Sequence, residues 1–349
     1  MSVIRRRIAA MRSLHACGLV SLALAVGCGD DGEPLVPDGI PSDAFEPTYW
    51  TPAPGEAANW DIQLVAPFDT SAARQMYLVD LWAITPGGTI DYGNGETVTV
   101  PAGALTASLS DIKAGGILVC QVTVGAIRLT DPDAMRYPGF EATPPDRPTD
   151  PAANSVIGWS VIGDANTRFL DIREAARTGW EATMYKRFQH AKDIGCDAVD
   201  AIWIDRNTGD YGFPLETIGD QNDISLYYRD VVADLHAKEI SAGYHSSTPI
   251  GNLFSDQFSA TYDFAVVERC AEFDVCGEVM PFEQAGKATF GLDFLDDGTT
   301  DRDGDTVSDG ISFSGGCLKA GLQMDWLHKD ADAAFRPSST YRMSKAECD

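Results

Sequence analysis

Short apolar runs recur along the chain and give the first indication of its fold. Eight of them have the length of buried strands: Trp60–Val65, Met76–Trp82, Ile117–Val124, Ala198–Ile204, Ile240–Tyr244, Phe264–Glu268, Ala288–Phe294 and Gly321–Trp326. Residues 181–195 and 223–239 fall between such runs and show the spacing of amphipathic helices. Apolar strands that alternate with helices indicate a parallel sheet that is covered on both faces.

Eight repeats favour closure of this sheet into a (β/α)8 TIM barrel, which we place at residues 48–349. Residues 85–100 interrupt the pattern, because two β-rich runs flank the turn signal Asn94-Gly95. We therefore predict an inserted β-hairpin between strands 2 and 3. Asn222 or Asp223 is expected to cap the second helix, and Gly195 to end the first.

The amino terminus has the layout of an export signal. Residues 1–28 combine four arginines with a short apolar run, Gly18–Val26, which is too short to cross a bilayer comfortably. The tetrapeptide that ends at Cys28 resembles a bacterial lipobox, with Ala25 in place of the usual leucine, and predicts lipidation of Cys28. Residues 29–47 are rich in Pro, Gly and Asp and predict a flexible linker. We expect an exported cell-envelope lipoprotein, otherwise a secreted protein, which meets the membrane only through its lipid anchor.

The charge balance narrows the range of partners. The chain carries 52 Asp and Glu against 26 Lys and Arg, a formal net charge of -26. Such a field repels phosphate backbones and anionic lipid surfaces, so neither nucleic acid nor a bare membrane is an expected partner. It suits a cationic ligand, although acidic surfaces also serve solubility alone.

The cysteines divide into three groups after the signal region. Cys270 and Cys276 are close enough in sequence for a local disulfide, and Cys317 could reach Cys348. Cys120 and Cys196 lie in or beside apolar runs, so we predict that they are buried thiols. The sequence contains no CxxC or HExxH motif, and a zinc site therefore has little support.

An aspartate-rich stretch near the carboxyl terminus has the spacing of a calcium-binding loop. Its carboxylates stand at relative positions 1, 3, 5 and 9: Asp301, Asp303, Asp305 and Asp309. Thr306 replaces the usual glycine, and Ser312 occupies the position that normally holds an acidic ligand. The stretch predicts either a structural Ca²⁺ site or a solvated acidic loop, and no other cofactor is expected.

Candidate chemistry lies at the carboxyl ends of the predicted strands, where a TIM barrel opens into its cleft. The polar residues at or just beyond these ends are Asp80, Asp205, His245, Glu268 and Asp293. Carboxylates that converge on one opening suit glycoside hydrolysis, which pairs an acid with a nucleophile or base. Each residue alone could instead cap a loop or pair with an arginine.

Several stretches together resemble glycoside hydrolase family 114, the endo-α-1,4-polygalactosaminidases. The resemblance covers roughly residues 58–348 and is carried by the order and spacing of these segments: Trp60-Asp-Ile-Gln63, Tyr77-Leu-Val-Asp80, Gly116–Gly125, Phe169-Leu-Asp-Ile-Arg173, Arg187, Gly195-Cys-Asp-Ala-Val199, Gly212-Phe213, Asp263-Phe264-Ala265, Glu268-Arg-Cys270, Cys276 and Gly286-Lys-Ala288. The resemblance implies a (β/α)8 barrel that hydrolyses a partly cationic galactosamine polysaccharide.

The same resemblance shows departures at the expected active site. The family's fourth strand ends in Val-Glu-Pro-Asp-Asn with a catalytic Asp, and that position falls on Ile202 here. The second catalytic carboxylate is retained as Glu268, which we interpret as the general acid/base. A Lys-Asn pair that usually ends strand five reads His245-Ser246, and the Tyr of the third-strand motif is Gln121.

Three explanations of the missing Asp remain open. Asp200 or Asp205 could supply the second catalytic carboxylate: Asp200 shares the strand parity of Ile202 but lies deeper, and Asp205 needs a loop bend to turn inward. Alternatively, the protein is a catalytically inactive, cell-surface barrel that binds sugar, with Trp203 as a stacking platform. In the third, the substrate has changed and His245 acts as acid/base, although it could equally be a hydrogen-bonded strand-end residue. Asp80, Trp203, His245 and Asp293 are the predicted substrate-binding residues.

Overall fold

The structure is a computed structural model of the 349-residue chain. It describes residues 47–64, 68, 73–93, 95–144, 155–161, 164–203, 212–214, 222–246, 255–270, 276–295, 324–330 and 340–341. The predicted signal, the lipidation site Cys28, the linker up to Glu46 and the aspartate stretch 301–309 lie outside the described residues. No described helix is long and apolar enough to cross a membrane.

Eight parallel strands form the (β/α)8 barrel that the apolar pattern predicts. In the order in which they pair, they are β1 (Trp60–Ile62), β2 (Met76–Asp80), β5 (Ile117–Thr123), β9 (Ala198–Trp203), β10 (Ser241–Ser246), β11 (Phe264–Glu268), β12 (Thr289–Leu295) and β13 (Asp325–Asp330). The Trp60 indole N–H donates to the carbonyl of Asp325 at 3.0 Å, which links the first and last parallel strands. The eighth strand begins at Asp325, four residues later than the apolar run predicts.

Seven α-helices accompany the strands within the described residues. They are α1 (Leu81–Ile84), α2 (Leu109–Gly115), α3 (Glu174–Arg177), α4 (Glu181–Ile194), α5 (Asp223–Ala237), α6 (Ser255–Phe258) and α7 (Met280–Gln284). The Asn222 side chain caps α5 by accepting from the Ser225 N–H, and Gly195 ends α4 at a positive φ of 86°. Both helix ends lie where the sequence predicts them.

Within the described residues, two insertions follow the carboxyl ends of barrel strands. The predicted hairpin is present as β3 (Gly88–Gly93) and β4 (Glu96–Val100), between the second and third barrel strands. A second insertion, which the sequence did not reveal, is the antiparallel sheet of β6 (Ala126–Arg128), β7 (Ile157–Val161) and β8 (Asp164–Leu170). A short antiparallel strand, β14 (Thr340–Tyr341), also pairs with β13.

The core has an inner and an outer layer. The inner layer fills the barrel with side chains such as Trp60, Leu78, Val119, Phe264 and Phe290, and all five are fully buried. The outer layer lies between strands and helices and contains the alternate strand positions. Side-chain parity therefore shows which residues face the interior of the barrel.

Two disulfides are present among the described residues, whereas the predicted pair Cys317 and Cys348 lies outside them. Cys270 and Cys276 are joined, as their spacing suggests. Cys120 and Cys196 are also joined, so the prediction that they are buried thiols is wrong. The two cysteines meet in the outer layer because β5 pairs directly with β9, and Cys196 lies two residues before β9. The sequence separates them by 76 residues and does not show this pairing.

Candidate active site

Polar side chains replace the inner apolar core at the carboxyl ends of four adjacent strands. Gln121 on β5 is the register partner of Asp200 on β9, and both have the parity of the inner pair Val119 and Ala198. On β11, Glu268 follows the inner residues Phe264 and Val266 at alternate positions. These side chains therefore lie above the apolar interior, where a TIM barrel carries its site.

Asp200, His245 and Glu268 form a continuous chain of contacts, which we call the Asp–His–Glu chain. His245 Nδ1 lies 2.7 Å from Asp200 Oδ2, and His245 Nε2 lies 3.2 Å from Glu268 Oε1. The residues come from three neighbouring strands, β9, β10 and β11. The side chains of Asp200 and His245 are completely buried, whereas that of Glu268 is 17% exposed. Glu268 is thus the only member of this chain that a ligand can reach directly.

Gln121 fixes the buried end of the Asp–His–Glu chain. Its Nε2 amide donates to Asp200 Oδ2 at 3.0 Å, so that one carboxylate oxygen receives both the amide and the imidazole. The sequence identified Gln121 only as a departure from the family pattern. Its inward parity with Asp200 was the signal that could have assigned it to the site.

His245 is positively charged at neutral pH. Burial, the largest single influence, lowers its pKa, but the nearby Asp200 and Glu268 carboxylates together outweigh burial and raise the pKa of His245 to about 10. Both ring nitrogens then carry protons: Nδ1–H donates to Asp200 Oδ2, whereas Nε2 is in ion-pair contact with Glu268 Oε1 without the alignment of a hydrogen bond. The prediction of His245 as an acid/base that titrates near neutral pH is therefore not supported.

The backbone that follows Glu268 is held in an unusual conformation. Arg269 has a positive φ of 58°, which is uncommon for a residue with a side chain. Its N–H donates to the carbonyl of Leu292 on β12 at 2.7 Å, and the next residue, Cys270, is tied to Cys276. These constraints fix the direction in which the strand leaves the barrel, directly beside Glu268.

Asp80 forms part of a second charged group at the same end of the barrel. Its Oδ1 accepts from the Ala83 N–H at the start of α1, and its Oδ2 lies 2.6 Å from the Arg128 guanidinium on β6. Arg128 also contacts Asp131, which lies 3.0 Å from the buried Arg187 on α4. Both carboxylate oxygens of Asp80 are thus engaged in contacts within the protein. The predicted contact of Asp80 with a sugar stays a prediction.

These contacts connect the second insertion to the barrel. Arg187 is completely buried and also pairs with Asp133, at 2.5 Å, in the loop that follows β6. Burial of such a cation is costly unless carboxylates compensate it, and here two aspartates do so. The resemblance includes Arg187 among its matching residues, and the structure shows what this side chain holds.

Comparison with known proteins decides the family. Residues 40–334 match the profile of Glycoside-hydrolase family GH114. The chain belongs to this family. The crystal structure of Aspergillus fumigatus Ega3 in complex with galactosamine is similar to it, with a TM-score of 0.56 and 19% sequence identity over 84% of this chain and 97% of that chain.

Other solved structures are more distant. The pneumococcal virulence factor StrH aligns with a TM-score of 0.41 and 11% identity, over 79% of this chain and 74% of its own. Sucrose 6F-phosphate phosphorylase from Thermoanaerobacter thermosaccharolyticum aligns at 0.34 and 10% identity, over 79% of this chain and 64% of its own. Neither similarity bears on function. No curated protein matches the chain.

The remaining predicted residues of this GH114 protein have mixed positions. Ile202 lies on β9 as the register partner of His245, and Trp203 ends the same strand. Asp293 is buried on β12 but has the opposite parity to Leu292, the inner residue that pairs with Glu268. This parity does not favour the predicted convergence of Asp293 with Glu268. Asp205 lies outside the described residues.

The predicted calcium ligands, Asp301, Asp303, Asp305 and Asp309, also lie outside the part of the chain that the structure describes. Within that part, no three His, Cys, Asp or Glu side chains are grouped as a metal site would require.

Proposed function

We propose that this protein is a glycoside hydrolase that acts on a galactosamine-type polysaccharide. Membership of family GH114 supports the reaction class, and the galactosamine bound in the Ega3 complex supports the sugar. The observation that carries the proposal is the position of Glu268, a carboxylate at the end of the sixth barrel strand that is partly exposed and held from below by His245.

The proposed reaction adds one water across a glycosidic bond. The bond from the anomeric carbon to the leaving oxygen breaks, the water oxygen bonds to that carbon, and the leaving oxygen receives a proton. The reaction therefore needs one carboxylate that attacks the anomeric carbon or takes a proton from the water, and one acid that protonates the leaving oxygen. Glu268 supplies the first carboxylate. Asp205, which lies two residues beyond β9 in the sequence, is the candidate for the second catalytic carboxylate.

Asp200 does not fit a direct catalytic role. Its side chain is fully buried, and one of its oxygens is shared by Gln121 and His245. The contacts at 2.7 and 3.2 Å on either side of one imidazole ring separate Asp200 and Glu268 by about 8 Å at most, which is within the spacing of paired catalytic carboxylates. The ring itself occupies that space, however, so a sugar cannot lie between them.

The acidic charge of the protein supports a cationic polymer as substrate. A de-N-acetylated galactosamine polymer carries ammonium groups, and a net charge of -26 attracts it over a distance of about one Debye length. We therefore expect tighter apparent binding to the de-N-acetylated polymer than to the acetylated one. This difference should shrink as salt is added.

Release of reducing ends from the de-N-acetylated polymer tests the proposal. The full chain is compared with Glu268→Gln, Asp205→Asn and a matched control, Glu174→Gln, which alters an exposed glutamate on α3. We expect turnover by the full chain and the control, and a loss of at least about 10³-fold in Glu268→Gln. Turnover that survives in Glu268→Gln would remove Glu268 from the chemistry.

One observation favours a second candidate, a catalytically inactive barrel that binds the polymer at the cell surface. Ile202 stands where the family resemblance expects a catalytic Asp, and the nearest carboxylate on the same strand, that of Asp200, is buried. Binding of the polymer by the full chain without any release of reducing ends would establish this second function.

We also propose export and lipid attachment at Cys28, and a structural Ca²⁺ at Asp301, Asp303, Asp305 and Asp309. Incorporation of labelled fatty acid into the full chain, lost in Cys28→Ser, tests the anchor. Calorimetric titration with Ca²⁺, compared with Asp303→Ala, tests the ion site. Equal heats in both proteins would exclude these aspartates as ligands.

A further inference from the structure

His245 is in an unusual position for a buried histidine, because each of its ring nitrogens faces a carboxylate. Asp200 Oδ2 lies 2.7 Å from Nδ1, and Glu268 Oε1 lies 3.2 Å from Nε2. We propose that His245 is a positioning residue: held by Asp200 as an imidazolium, it fixes the position of the Glu268 carboxylate at the barrel rim through an ion pair. This inference rests on the proposed hydrolase function and assigns separate roles to Asp200, His245 and Glu268 within that site.

The buried half of the Asp–His–Glu chain sets the orientation of the ring. Asp200 Oδ2 accepts from both His245 and the Gln121 amide, so the carboxylate cannot rotate without losing two hydrogen bonds. Asp200 and His245 are completely buried and therefore cannot touch a saccharide. Their effect on the reaction must pass through Glu268.

The charges around the ring determine its state. The carboxylates that face His245 in the described residues are Asp200 on β9 and Glu268 on β11. Its register partners on these strands, Ile202 and Val266, are apolar and do not compete for its protons. Two carboxylates therefore flank one fully buried ring, and their negative charges favour its protonated form.

This arrangement assigns Glu268 a role different from that of general acid. Its Oε1 atom lies 3.2 Å from Nε2 of the imidazolium, and in this ion pair the carboxylate is the negatively charged partner. Glu268 then accepts a proton or attacks carbon, and the proton for the leaving oxygen comes from another group. The interpretation of Glu268 as a general acid/base is thereby narrowed to the base or nucleophile.

Substitutions at His245 separate charge from shape. His245→Gln removes the cation but keeps a hydrogen-bond donor, and His245→Lys keeps a cation. With the de-N-acetylated polymer as substrate, we expect His245→Gln to lower kcat about 10²-fold with KM changed less than about threefold, since a misplaced reacting group costs this much. We expect His245→Lys to recover at least about tenfold of that loss. Thermal unfolding of each variant confirms that it is folded.

Wild-type kcat in His245→Gln, or equal losses in folded His245→Gln and His245→Lys, would overturn the positioning role. Asp200→Asn gives an independent check, because it removes the carboxylate that holds the ring while His245 and Glu268 themselves stay unchanged. We expect it to lower kcat with little change in KM. If it instead leaves kcat unchanged, Asp200 does not act through the ring.

Nitrogen NMR of the wild-type protein, labelled at its histidines, tests the charge without any need for activity. His245 is assigned by comparison with His245→Gln, and we expect both of its nitrogens to be protonated at pH 8. A neutral ring at pH 8 would overturn the inference even if hydrolysis is found. A charged ring in a protein that releases no reducing ends would instead refute the proposed function and leave the ion pair as an element of structure.

Discussion

Because the pKa of His245 is raised in the folded protein, the free energy of unfolding is expected to fall as the pH becomes alkaline. In the folded state the pKa is about 10, against an ordinary value of 6.5. Folding therefore favours the protonated ring. The stabilisation from this residue is fully present below pH 6.5 and is lost as the pH rises towards 10.

The magnitude follows from the width of that window. Each pH unit across which one proton is held only in the folded state changes the free energy of unfolding by about 1.4 kcal/mol. Between pH 6.5 and 9.5 we therefore expect the free energy of unfolding to fall by roughly 4 kcal/mol on account of His245. Complete burial of the ring means that solvent screens this effect little.

Urea unfolding of the full chain and of His245→Gln, at several pH values across the window, measures this effect. The difference between the two proteins removes contributions that they share, such as the lowered pKa of Lys287. Between pH 6.5 and 9.5, we expect the free energy of unfolding of the wild-type chain to fall by roughly 4 kcal/mol relative to that of His245→Gln. Parallel pH profiles would refute the argument, because they would mean that the ring takes up no proton on folding.

Three further predictions concern the frame around the site. Arg187→Met should lower the free energy of unfolding by about 3–5 kcal/mol, since it leaves the buried Asp133 without its arginine and Asp131 with Arg128 alone. Lys186→Met, on the same helix, is the control, and equal losses would contradict the network. Replacement of Cys120 and Cys196 by alanine should cost about 2–4 kcal/mol in denaturant unfolding, because the closed loop is long; an unchanged midpoint would exclude a stabilising disulfide. Arg269→Gly should be more stable than Arg269→Ala by about 1 kcal/mol in thermal unfolding, owing to the positive φ; the reverse order would show that this backbone is not strained.

The barrel could be predicted from the sequence because its strands are buried on both faces. Every predicted run contains or overlaps one of the eight parallel strands, and the predicted hairpin is present as the antiparallel pair β3 and β4. The sheet of β6, β7 and β8 was missed because its strands are short or interrupted by polar residues. Its small core, Ala126, Phe169 and Phe213, draws on segments that are distant in the chain.

The site was predicted residue by residue but not as an arrangement. Because side chains alternate along a strand, the sequence predicted that Asp200 faces the barrel interior, two residues deeper than Ile202, and Asp200 is buried there on β9. Parity says nothing about the stagger between strands. That stagger places His245 beside Ile202, so that its ring meets Asp200 on one strand and Glu268 on the other. The same limitation hid the contact between Cys120 and Cys196.

The stagger also places next to each other the residues at which the sequence resemblance suggests departures from the family pattern. Ile202, in place of the expected Asp, is the register partner of His245, in place of the expected Lys, and Gln121 contacts the carboxylate that His245 shares. A carboxylate at position 202 would stand next to the ring and compete with Asp200 for it. With an isoleucine there, His245 has Asp200 and Glu268 as its charged partners among the described residues. The changes are therefore consistent with one rearranged charge network rather than with independent losses.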